Sequence, residues 1–251
     1  MKKTYLAMAV AAASFVATPA IAQDYQMEAG LSYISLSPDV GSSDSAIGVD
    51  FRYNFETVST AGKPLAEAQF LGRNGGVNLS YSDYDKNDNT DIDVGADFWF
   101  DDFYVAAAFN NNDYGFDDDN NYQLTAGYMV GETMLAYASF VDGDSFSSAS
   151  FLLGAKYVAD LGGSYANLEA VLGIHDDYND LGLVGDYFLT NEFSVGAFAT
   201  LSDDTDYAEH EYGVATKYFL MPNVSGELAY TLNNGGWDGD DAIYFRLAAR
   251  F

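Results

Sequence analysis

The 251-residue chain carries 38 acidic against 10 basic residues, a formal charge of −28. That balance excludes nucleic-acid binding and polybasic attachment to a membrane surface, since both need cations to meet phosphate. With no cysteine, a disulfide scaffold, a thiolate nucleophile and cysteine metal ligands are excluded as well.

At the start of the chain, Lys2 and Lys3 precede an apolar run from Tyr5 to Val16, followed by Ala20-Ile21-Ala22. A positive segment, an apolar segment and a small-x-small step predict a secretory signal peptide over 1–22 and a mature domain over 23–251. Its removal takes two lysines and no acid, leaving 8 basic and 38 acidic residues, a net charge of −30. Beyond Ala22 no apolar run approaches the roughly 20 residues of a spanning helix. Entry into a membrane therefore requires a closed barrel, because lipid cannot satisfy an open sheet edge. Twenty Tyr and 18 Phe against four Pro suit strands with aromatic belts.

Alternation bounded by turn residues predicts 14 strands: 25–36, 45–56, 76–85, 91–100, 103–112, 121–130, 133–142, 148–158, 164–175, 180–189, 192–202, 209–219, 224–233 and 241–251. Phe193, Val195, Ala197, Ala199 and Leu201, set against Ser194, Gly196, Phe198, Thr200 and Ser202, show the pattern plainly. Between the second and third strands, Pro64 suits a first helical position, Gly72 suits the residue after the end, and 65–71 are good helix formers. A short periplasmic helix is expected there, either as a partial plug or packed on the rim. The connections alternate in length. Asp101-Asp102, Gly131-Glu132, Thr190-Asn191 and Met221-Pro222-Asn223 are short, whereas 113–120, 203–208 and 234–240 are longer and polar. Short periplasmic turns and longer outer loops are the asymmetry of an antiparallel up-and-down transmembrane barrel. In the last strand Ile243, Phe245, Leu247, Ala249 and Phe251 alternate with Tyr244, Arg246, Ala248 and Arg250. A terminal aromatic closing a period of two is the expected signal for the barrel-insertion machinery.

The signal segment, Phe51-Arg52-Tyr53-Asn54-Phe55 and, above all, Lys63-Pro64-Leu65-Ala66-Glu67-Ala68-Gln69-Phe70-Leu71 resemble the putative general porin family of Gram-negative outer-membrane β-barrels. The resemblance implies an outer-membrane barrel with pore activity, and the function expected of this chain is passive diffusion of small hydrophilic solutes and ions. The chain is shorter than the 16-stranded trimeric members, so the oligomeric state stays open.

If the apolar face of each strand meets lipid, the opposite parity lines the lumen. That face carries Glu28, Asp50, Arg52, Glu56, Asp93, Asp97, Lys156, Glu169, Asp186, Lys217, Glu227, Arg246 and Arg250. The reading is a hydrated lumen with a cation bias, and the alternative is an interior sealed by ion pairs in a structural or adhesive surface barrel. Asp117-Asp118-Asp119, Asp176-Asp177, Asp203-Asp204 and Asp238-Gly239-Asp240-Asp241 offer oxygen ligands, as does the series Asp83, Asp85, Asn87 and Asn89. That series lacks the glycine and final acid of an EF-hand. These are read as solvated loops that meet lipopolysaccharide phosphates through divalent ions, with no dedicated metal site and no cofactor. His175, followed by Asp176 and Asp177, is the best candidate general base for a surface hydrolase. No serine nucleophile motif accompanies it, and no catalytic residue is assigned.

Overall fold

The computed structural model describes residues 24–38, 43–86, 89–113, 118–144, 149–203, 210–233 and 240–251. It contains 14 strands: β1 (Tyr25–Pro38), β2 (Asp44–Val58), β3 (Gly76–Tyr84), β4 (Thr90–Phe100), β5 (Phe103–Asp113), β6 (Asp118–Val130), β7 (Met134–Gly143), β8 (Ser150–Asp160), β9 (Tyr165–Ile174), β10 (Asn179–Thr190), β11 (Phe193–Ser202), β12 (His210–Met221), β13 (Val224–Asn233) and β14 (Asp240–Arg250). Each pairs antiparallel with its neighbours in sequence, and β1 pairs with β14 to close the ring. Closure gives every strand two partners, so no edge meets lipid.

Alternation sorts the two faces as the pleat requires. Phe103, Leu124, Phe151, Leu168, Val214 and Leu228 stand exposed on the outside. Aromatic contacts mark both margins of this apolar band. Phe103–Tyr128 and Phe193–Tyr218 lie beside the short turns, and Phe109–Tyr122 and Phe140–Phe151 lie toward the long loops. Such a pair of girdles matches the two interfaces of a bilayer.

The expected loop at 113–120 is partly strand. β6 begins at Asp118, and the ladder Asn110↔Asn121 to Asp113↔Asp118 carries the hairpin upward. Both faces there are polar, so no apolar alternation announced it; beyond the bilayer a sheet needs none. Asp117, Asn87, Asp204 and Asp238-Gly239 lie outside the described residues.

The helix between β2 and β3 is a 3-10 turn (Leu65–Glu67) running into one α-helical turn, α1 (Ala68–Leu71). Pro64, with φ −58° and ψ 130°, precedes the first turn instead of opening it. Gly72 ends α1, its N–H donating to Ala68 O at 2.9 Å. A Cβ at Gly72 would lie 2.9 Å from that same oxygen and closer still to Asn74 Oδ1, so glycine is needed for close approach.

The apolar core gathers around this segment. Leu65 and Ala68 are buried, as are Tyr25, Val58, Met129, Leu135, Val158, Phe188 and Phe219 from strand ends beside the short turns. A bulge between Tyr25 and Met27 breaks the register of β1 with β2. It turns Tyr25, buried at 5% exposure, in beside Val58 and Ala68.

Candidate functional site

Strand register sets the charged groups of the wall. On β1, β2 and β14 the partners Glu28↔Arg250, Glu28↔Arg52 and Ser32↔Arg246 bring acids and bases to one patch. Arg246 donates from Nη2 to Glu28 Oε1 at 2.9 Å and from Nε to Asp50 Oδ1 at 2.9 Å. Arg250 donates from Nε to Glu28 Oε2 at 2.5 Å, while its guanidinium lies 4.4 Å from the Tyr25 ring centre and 4.5 Å from that of Phe219. The space for Arg246 exists because residue 30 is glycine: a Cβ there would sit 2.7 Å from Arg246 Nε.

Elsewhere the charges pair locally. Arg52 Nη2 meets Asp97 Oδ1 at 2.7 Å, and Lys217 meets Glu227 at 3.3 Å. Lys156 lies 3.0 Å from Glu67 and 3.9 Å from Glu169, whose other oxygen accepts the Tyr137 hydroxyl at 3.1 Å. Asp93 is held by neutral donors, Ser80 Oγ at 2.8 Å and Asn110 Nδ2 at 2.7 Å. Asp186 likewise accepts from Asn167 Nδ2 at 3.0 Å. Glu56 stands apart, exposed and beyond Asn54↔Gly76, the last pair of β2 with β3.

The residues 59–75 do more than connect two strands. Leu65 N–H donates to Asn191 O at 2.8 Å in the β10–β11 turn, and Leu65 O accepts from Arg250 Nη1 at 2.9 Å on β14. Gly62 O accepts from the Tyr165 hydroxyl at 2.9 Å on β9. Arg73, held at φ 53°, donates to Asp102 Oδ1 at 2.6 Å and to Gly131 O at 3.1 Å, in the β4–β5 and β6–β7 turns. With Glu67 on Lys156 of β8, the segment is tied to points distributed round the whole ring. It forms a floor across the short-turn end. Leu65 is buried, so its N–H and C=O must both find partners, and Asn191 O and Arg250 supply them.

Two cavities open on either side of this floor, and Ala66 and Glu67 line both. The larger, about 470 Å³, is bounded by β2 and β4–β9 and includes Arg52, Asp97, Trp99, Tyr104, Tyr137, Lys156 and Glu169. The smaller, about 190 Å³, is bounded by β10–β13 and includes Asp186, Lys217 and Glu227.

Parity alone did not reveal Glu67, Tyr137, Asn167 or Arg73. A usable signal existed for part of the floor's seat. Tyr187-Phe188-Leu189 and Tyr218-Phe219-Leu220 are apolar on both faces of their strands beside short turns, which demands an apolar partner inside.

His175 sits in a different constellation. Its Nδ1 is 2.8 Å from Ser150 Oγ, and its Nε2 is 2.9 Å from Asp180 Oδ2. Asp180 is thus its partner, rather than the adjacent Asp176 or Asp177. Ser150 is only 2% exposed, so its hydroxyl is closed to a substrate, and the chain of bonds ties β8 to the β9–β10 hairpin. Among the described residues no three acids or histidines converge to hold a metal ion.

A closed antiparallel barrel with an apolar outer belt and a charged, cavity-bearing interior is a transmembrane channel of the outer-membrane type. The chain belongs to the family described as "Putative general bacterial porin", whose model matches residues 1–153. Omp33 of Acinetobacter baumannii is similar in structure over 91% of this chain and 99% of its own, with a TM-score of 0.76 and 24% identity. A bacterial polysaccharide outer membrane secretin is similar over 90% and 99%, with a TM-score of 0.52 and 10% identity. At these identities the likeness is one of fold. No curated protein matches the chain. The protein is an outer-membrane porin of the Gram-negative envelope.

Proposed function

We propose that the protein passes small hydrophilic solutes with a preference for cations, along a lumen lined by Glu28, Asp50, Arg52, Asp93, Asp97, Lys156, Glu169, Asp186, Lys217, Glu227, Arg246 and Arg250, with Glu56 at its periplasmic rim. The observation that supports the preference is the pattern of pairing. Each of these five bases sits within 4 Å of at least one acid, whereas Asp93 and Asp186 are held by neutral amides and a hydroxyl. Neutralised cations repel a passing cation little, while carboxylates with no base of their own, Asp93 and Asp186 among them, attract it. Reversal potentials across a salt gradient in planar bilayers test the reading, and an anion-selective current overturns it.

A second reading rests on the floor: a non-conducting structural or adhesive barrel in which 59–75 seals the lumen. Absence of any unitary current with the floor intact, together with its appearance after deletion of 64–71, favours it over the pore. Under either reading we place signal cleavage after Ala22, contacts to lipopolysaccharide at the acidic loops, and recognition by the insertion machinery at Ile243, Phe245, Leu247, Ala249 and Phe251.

A further inference from the structure

We propose that the larger cavity above the floor is a binding site for a small organic cation, an ammonium or guanidinium compound of amino-acid size with an apolar body. The proposal deepens the reading of this interior as a solute path and names the class of solute that would rest there.

Charge and surface together select this chemistry. Arg52 is committed to Asp97 at 2.7 Å, and Lys156 is nearer to Glu67, at 3.0 Å, than to Glu169, at 3.9 Å. Three acids against two bases leave one negative charge, and the geometry puts it on Glu169, whose closest donor is the neutral Tyr137 hydroxyl at 3.1 Å. Aromatic rings share its cavity. Trp99 and Tyr104 lie 4.8 Å apart between ring centres and line the same cavity as Tyr137, while the Phe70 ring, also in the lining, already faces Lys156 Nζ at 5.2 Å. The Tyr137 ring reaches this position because residue 154 is glycine, where a Cβ would collide with the ring. A cavity that holds a carboxylate and aromatic rings attracts an organic cation twice, by charge and by the ring quadrupole. A small inorganic ion gains little from the rings and holds its hydration shell more tightly. The volume, about 470 Å³, lies within the roughly 300–1,000 Å³ usual for small-molecule sites.

Trp99 supplies the probe. The chain has two tryptophans, and W237F leaves Trp99 as the only one. In this background, folded in detergent at fixed ionic strength, choline and lysine amide are titrated against potassium, glutamate and glucose. The expected result is a saturable change in Trp99 emission with the two organic cations and none with the other three. E169Q should weaken it about tenfold, equivalent to roughly 1.4 kcal/mol, while Y137F, which keeps the charge and the ring, preserves the selectivity. Heat-modifiable gel mobility establishes that each variant is folded. Glutamate or glucose binding as well as choline, no saturable response, or an unchanged affinity in folded E169Q overturns the proposal. Conductance is recorded separately. Binding without current refutes the pore and leaves the site, and cation-selective current without binding does the reverse.

Discussion

Glu67 is 7% exposed and lies between both cavities with its carboxylate 3.0 Å from Lys156. A shielded ion pair contributes little net stability when whole, yet removing one partner costs about 3–5 kcal/mol because a charge is left unsatisfied. Glu169 takes up part of the Lys156 charge, so E67Q should fall at or below the lower end of that range. The expected outcome is a loosened floor: larger or more frequent current steps in E67Q, read in single-channel traces, with an unchanged trace showing that Glu67 is no latch. At the outer end Asp203 accepts the Asn179 N–H at 2.5 Å and its Nδ2 at 3.1 Å. These bonds hold its carboxyl below the usual carboxylate range. A depressed acid stabilises the loop above its unfolded pKa and loses that effect as pH falls through the folded one. Amide exchange at Asn179 should therefore be slower than in D203N at neutral pH, and the difference should vanish in acid below the ordinary carboxylate range.

At the scale of elements, strands such as β8, β10 and β12 have two environments along the inner face. Toward the middle they bear polar groups such as Asp186, and beside the short turn apolar ones such as Val158, Phe219 and Phe188, the last 2% exposed. Phe188 belongs to the ring of side chains that seats the floor. F188A should cost about 3–5 kcal/mol, seen as a lower thermal midpoint, with the outer barrel still formed. A midpoint within error of the parent would show that the floor needs no apolar seat. The closing seam depends on its last rung in another way. Phe251 O accepts from Gln26 N–H at 3.0 Å and Met27 N–H at 2.8 Å, and its own N–H donates to Met27 O at 2.9 Å. Removing Phe251 strips these bonds from β1, so the variant should accumulate unfolded in the periplasm or be degraded. Normal amounts in outer-membrane fractions would count against that role.

For the whole molecule the net charge of −28 sets a field that gathers cations at the mouth. Screening lengths are about 10 Å at 0.1 M salt and about 3 Å at 1 M, so the loops should lose influence first and the closer lumen acids later. Cation preference should be strongest at low salt and weaken without vanishing at molar salt. D93N combined with D186N should reduce it further, since neither acid is tied to a base. D97N makes a useful contrast because it also strips Arg52 of its partner at 2.7 Å, leaving a bare cation beside the path. Reversal potentials of the two variants separate surplus charge from paired charge.

How far the fold could be read from the chain follows from the same forces. A bilayer imposes strict alternation, so strands such as β11 and β13, the short turns and the 14-fold count were legible from local pattern alone. Pro64 and Gly72 marked the interrupting turn for local reasons too. Lipid does not act on the polar pairs from Asn110↔Asn121 to Asp113↔Asp118, and there the pattern was silent. The inner parity named which charges share a face; it did not name partners. Arg246 reaches Glu28 across 218 positions and Arg250 reaches Leu65 across 185, contacts that arise only when β14 closes on β1. The floor was the least legible feature. Its shape depends on Asn191, Arg250, Tyr165, Asp102 and Gly131 all facing one end of the ring, which barrel closure alone brings about.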